Sequence, residues 1–97
     1  MPTLKIGPFK IPVTFVANLI VDGEPCFGAY FDDPKGIKMD RTMKERPDEL
    51  LAYLLHECLE AINRIYAINL SHDQVEQLSM ALTQLLKDGK YLRGLLE

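Results

Sequence analysis

The 97-residue sequence has no tryptophan, only two cysteines and no excess of basic charge. Each shortage excludes something. Cys26 and Cys58 make no CxxC pair and are too few for a disulfide scaffold, so a reduced, cytoplasmic setting is expected. No apolar run approaches the roughly 18–20 residues that span a bilayer. The opening MPTLKIGPFK has no apolar segment behind its early lysine, so neither a membrane helix nor a signal peptide is predicted. Eleven Lys and Arg against fourteen Asp and Glu leave a net charge of −3. Broad nucleic-acid binding needs a basic face to neutralise phosphates, and that balance argues against it. The length leaves no room for a large multidomain enzyme, nor for repeated βαβ crossovers of about 30 residues each. Internal repeats and low-complexity tracts are also lacking.

What is present fits one α+β domain over residues 1–97, with strands at about 3–40 and helices at about 47–67 and 71–88. Leu4 and Ile6 open a short strand that Gly7-Pro8 ends. Over residues 11–21, Ile11, Val13, Phe15, Ala17 and Leu19 alternate with Pro12, Thr14, Val16, Asn18 and Ile20, the period of a strand. Asp22-Gly23-Glu24-Pro25 has turn chemistry. Residues 26–31 then form a return strand, and residues 36–40 a last one with Ile37 and Met39 on one face. Short turns between these strands predict an antiparallel meander of three to four strands. Lys35, Lys38, Arg41, Lys44 and Arg46 cluster in the following turn and linker, reading as a solvated loop or as a local anion or partner contact.

Pro47 suits a first helical position, and Asp48 and Glu49 complement the positive helix end. Leu51, Leu54, Leu55, Cys58, Ile62 and Ile65 follow as an apolar stripe, which places Cys58 toward the core. Asn69 is a candidate left-handed terminator. Ser71 and Gln74 match a capping box, with Leu70 and Val75 at the staple positions. Val75, Leu78, Leu82, Leu85 and Leu86 are the expected core face of the second helix, and the short link predicts an antiparallel hairpin.

His56-Glu57-Cys58-Leu59-Glu60 sits mid-helix. His56 and Glu60 are about 40° apart around the axis and leave the same face, with Glu57 one step round. Two metal ligands one turn apart beside a carboxylate able to hold water is the logic of zinc sites of the HExxH type. The same spacing also makes an ordinary exposed ion pair. His72, the other histidine, is expected to lie out of reach. His56 precedes the hairpin turn by about eleven residues, roughly 16 Å of helix, and His72 opens the returning helix at that far end. Residues near Ser79 and Thr83 should face His56 and Glu60. A carboxylate from the strands, Asp40 or Asp33, is the expected third ligand. Tyr53, one turn before His56, is placed to donate to an oxyanion or to pack as a partly buried helix residue.

The order of short strands, a GIKMD strand, a polar linker, LLAYLLHECLEAI and LSHDQVEQLSMALTQLLKD resembles a family of small phage and prophage proteins of a minimal zincin-like, metallopeptidase-like kind. In that family a strand precedes an LLHExxHAI helix, and a second helix opens with LS-[HE]-x-x-V. The likeness runs from about residue 5 to 88 and is most specific at Leu54-Leu55-His56-Glu57, Ala61-Ile62 and Leu70-Ser71-His72-Asp73-Gln74-Val75. It implies a zincin-like fold in a host-cell cytoplasm and a metal-dependent, peptidase-like hydrolase using zinc or another divalent metal. His56 would be the first ligand and Glu57 the catalytic base, while Glu60 stands where the second histidine normally does. The alternative is a catalytically inactive phage accessory protein that binds a host or phage protein; a protein or peptide partner is expected in either case.

Overall fold

Alternation at Ile11, Val13 and Phe15 does produce a strand in the computed structural model, which describes residues 2–89, 94 and 95. The order is β1 (Thr3–Ile6), β2 (Phe9–Val16), β3 (Ile20–Val21), β4 (Glu24–Pro25), β5 (Gly28–Asp32), β6 (Lys35–Asp40), a 3-10 turn (Arg41–Glu45), α1 (Pro47–Ile65) and α2 (His72–Lys87). The class is α+β, a four-stranded sheet with a helical hairpin.

The expected all-antiparallel meander is not formed. The sheet order is β1-β2-β6-β5, and β2 pairs with β6 in parallel, Val13 opposite Ile37 and Phe15 opposite Met39. Ile37 and Met39 are fully buried, so β6 takes a central place and displaces β5 to the edge. The return strand therefore pairs with β6 and not with β2. The expected strand over residues 11–21 is also broken. Asn18 adopts a left-handed φ of 53°, and the chain turns into a separate β3–β4 hairpin. That hairpin closes on Asp22 (φ 53°) and Gly23 (φ 80°), as a two-residue turn with positive φ at both positions requires.

Inward-facing Ile11, Val13, Tyr30, Ile37 and Met39 meet Ala61 on α1, with Leu54, Cys58 and Ile65 packed around them. The basic cluster largely covers aromatic rings. Lys35 lies over Phe9, Lys38 over Phe31 and Lys44 over Phe15, at 4.6, 5.0 and 4.7 Å from the ring centroids. Their stems shield apolar area while the ammonium heads stay in water.

The α2 helix opens with the expected capping box, Ser71 with Gln74. Its buried face differs from the expected one. Val75, Ser79 and Thr83, stacked at four-residue steps, are buried, whereas Leu78, Leu85 and Leu86 are exposed. Ser79 and Thr83 satisfy their hydroxyls on the carbonyls of Glu76 (2.8 Å) and Ser79 (2.6 Å), so they can be buried without an orphaned polar group. Small side chains at these positions let α2 lie close to α1. No helix among the described residues is long and apolar enough to cross a membrane.

Candidate metal centre

The link between the helices decides what meets His56. After Ile65 the chain does not run on past the end of α1. Ala67 (φ 51°) and Asn69 (φ 68°) turn it back, and the Ile68 N–H donates to the Asn63 carbonyl at 3.1 Å. The Asn63 side chain then holds Leu70. It accepts from the Leu70 N–H at 2.8 Å and donates to the Leu70 carbonyl at 3.1 Å. Leu70 is thereby level with Asn63, so α2 begins alongside the last turns of α1.

His72 consequently reaches the HExxE face, against expectation. Its ring centroid lies 5.4 Å from that of His56, the rings meeting edge to face. His56 Nε2 is 3.9 Å from Glu60 Oε1, and one ligand atom from each of His56, Glu60 and His72 falls within 4.8 Å of the others. His56 and Glu60 are half-buried and His72 is exposed, so the group opens to solvent on one side. A chain running on past the end of α1 would leave His72 roughly 16 Å from His56; the fold-back at Ala67 and Asn69 removes that separation. Asn69 was recognisable as a left-handed residue; the clasp between Asn63 and Leu70 carried no comparable sequence signal.

The carboxylates expected to supply a third ligand are not in this group. Asp40 caps the 3-10 turn, accepting from the Leu19 N–H at 2.8 Å and from the Thr42 N–H and hydroxyl. The Thr42 and Leu19 donors hold its carboxyl below the usual carboxylate range. Asp33 lies in the turn between β5 and β6.

Glu57 points toward the sheet and is only 9% exposed. Burial, with the charge of Glu60 adding to it, pushes its carboxyl up to about 7, although the Tyr30 backbone N–H opposes the shift by hydrogen bonding. Gly28 makes room for it: a Cβ there would lie 2.7 Å from Met39 Sδ and 3.3 Å from Glu57 Cγ. Edge strand β5 and the Glu57 carboxylate are thus neighbours. A cavity of about 370 Å³ is lined by His56, Glu57, Glu60, His72, Arg64 and Cys26, together with β5 backbone.

Both cysteines are free. Cys58 packs against the core as expected, and burial pushes its thiol up to about 11. Cys26, not singled out from sequence, forms part of the wall between this cavity and an apolar cleft lined by Leu19, Ile20, Pro25 and Phe27. Burial and the charges of Glu57 and Asp40 push its thiol up as well. Tyr53 is exposed and packs against Phe27 with its ring tilted by 55°, ring centroids 5.0 Å apart.

No protein-family model, curated protein or solved structure matches the chain. What the site can do is therefore read from its donors. Two imidazoles and one carboxylate form a set that borderline divalent ions accept, zinc above all.

Proposed function

We propose that the protein is a small zincin-like metalloprotein of the phage and prophage kind, holding zinc or another divalent ion on His56, Glu60 and His72 and acting as a peptidase-like hydrolase. The observation that carries this reading is the convergence of three ligand atoms, from two helices, within 4.8 Å. Around a tetrahedral ion with bonds of about 2.0–2.1 Å, ligand atoms stand roughly 3.4 Å apart. The 3.9 Å between His56 Nε2 and Glu60 Oε1 is close to that spacing, and with all three atoms within 4.8 Å of one another a closure of about an ångström or a little more brings the set onto such an ion. Three protein ligands leave a fourth position open, as a catalytic zinc site requires.

A divalent ion in this place supplies Lewis acidity to a carbonyl and makes water more acidic. Glu57, adjacent to His56 on α1, accepts a proton from water and returns it to the leaving group. The absence of a side chain at Gly28 leaves room for the Glu57 side chain against β5. His72 ties the second helix to the site.

A second reading is favoured by the exposed Leu78 and Leu85 on α2: an inactive accessory protein that binds a host or phage protein. Elemental analysis of protein purified without chelator separates the two. The hydrolase reading expects about one equivalent of metal. It also expects loss of that metal in His56→Ala and His72→Ala, and a metal-loaded but inactive Glu57→Gln. Metal-free wild type, with Glu57→Gln fully functional, supports the accessory reading.

A further inference from the structure

His56, Glu60 and Arg64 recur at four-residue steps along α1. One helix face therefore carries two of the candidate ligands and, about 6 Å further along the axis, a guanidinium. Arg64 lines the same cavity as His56, Glu60 and His72. Its Nη1 donates to Asp32 Oδ2 at 2.6 Å, and its guanidinium stands 5.8 Å from the centroid of the buried Tyr30 ring. These contacts orient the side chain on the border between this cavity and a second one lined by Asp32, Asn63 and Asn69, and leave it 53% exposed. Its other N–H groups meet no acceptor among the described residues. An arginine offers five donors in a rigid planar fork suited to carboxylates, and Asp32 engages only one nitrogen here.

The spacing limits what the fork can read. An extended peptide advances about 3.3–3.6 Å per residue, so a carbonyl beside His56 and Glu60 sets a group one or two residues further on near Arg64. A main-chain amide at that point offers one carbonyl oxygen, whereas a chain terminus offers two oxygens and a full charge.

We infer that Arg64 binds a terminal carboxylate, so that the ligands of this site are acyl amino acids and short peptides with a free C-terminus one or two residues beyond the carbonyl that faces His56, Glu60 and His72. The inference rests on the ion-binding reading above and adds the class of substrate to it.

Cobalt(II) loaded into the full chain gives a visible spectrum that reports the ion and its ligands independently of turnover. The probes are N-acetylglycylglycine and its C-terminal amide. Wild type should bind the free acid at least about tenfold more tightly than the amide, the scale of one charge-assisted hydrogen-bonded contact. In Arg64→Met and in Arg64→Gln the ratio should fall to about twofold or less, with cobalt affinity unchanged. A ratio retained in both variants means that the ion alone reads the carboxylate and overturns the inference, leaving the ion-binding reading intact. Equal binding of acid and amide by wild type overturns it too. Absence of any cobalt spectrum in wild type overturns the ion-binding reading, and this inference with it.

Discussion

The carboxamide of Asn63 clasps the backbone of Leu70 on both sides, taking its N–H at 2.8 Å and giving a hydrogen bond to its carbonyl at 3.1 Å. That clasp sets where α2 begins and brings His72 to His56 and Glu60. Asn63→Ala should cost about 1–3 kcal/mol of stability, the range for leaving partly buried backbone groups unpaired. Zinc affinity should fall as well, by about tenfold or more, because His72 is no longer held in place. Chemical denaturation and a competition titration with a chromophoric chelator measure the two effects. Unchanged zinc affinity in a folded variant would show that the clasp does not position His72.

Glu57→Gln separates chemistry from folding. A buried carboxyl displaced upward by desolvation destabilises the fold whenever it is ionised, so the neutral amide should leave the melting temperature equal or higher. Hydrolysis should drop by about 10²–10⁴-fold, the usual contribution of a general base. Thermal melts and turnover of a peptide substrate, on metal-loaded protein, check both halves.

The seam between the helices predicts an inverted pattern of mutational sensitivity. Leu85→Ala, on the exposed side of α2, should change stability by about 0.5 kcal/mol or less. Ser79→Leu, on the buried side, adds volume where the helices approach closely and should cost about 1–3 kcal/mol. Urea titrations of the two variants decide it; a larger loss for Leu85→Ala would mean that the leucine face is the packed one.

Asp40 predicts an acid limb. Its carboxyl lies below its ordinary value because Thr42 and the Leu19 N–H bond to the charged form. A depressed native pKa means that its contribution is fully present above the unfolded value of 3.8 and is lost as pH falls through the native one. Asp40→Asn should therefore be less stable than wild type at pH 7, and the gap should narrow as pH is lowered below about 4. Melting temperatures of both proteins across pH 2–7 supply the comparison.

Local periodicity made much of this fold legible. Ile11, Val13 and Phe15, and likewise Ile37 and Met39, announce their inward face because strand side chains alternate, and all five face the core. Ser71 and Gln74 announce a helix start because capping is decided within one turn. Strand order was not legible: whether β6 lies beside β5 alone or between β5 and β2 depends on contacts distant in sequence. Nor was the packed face of α2. Leu78, Leu82, Leu85 and Leu86 exceed Ser79 and Thr83 in hydrophobicity, but close approach beside the buried Val75 favours the smaller side chains. Of the site, His56, Glu57 and Glu60 stand out through their spacing on one helix. His72 stayed hidden because two left-handed residues and one amide redirect the chain over a few residues.

The helical hairpin also has a mechanical consequence. α2 rests chiefly on α1 and leaves Leu78, Leu85 and Leu86 to solvent, so it behaves as an arm fastened along a single seam. His72 lies at the root of that arm, while His56 and Glu60 belong to the body that grips the sheet. An ion bridging them would act as a latch. Occupancy of the site would then be legible far from it, as slower amide exchange along the whole arm.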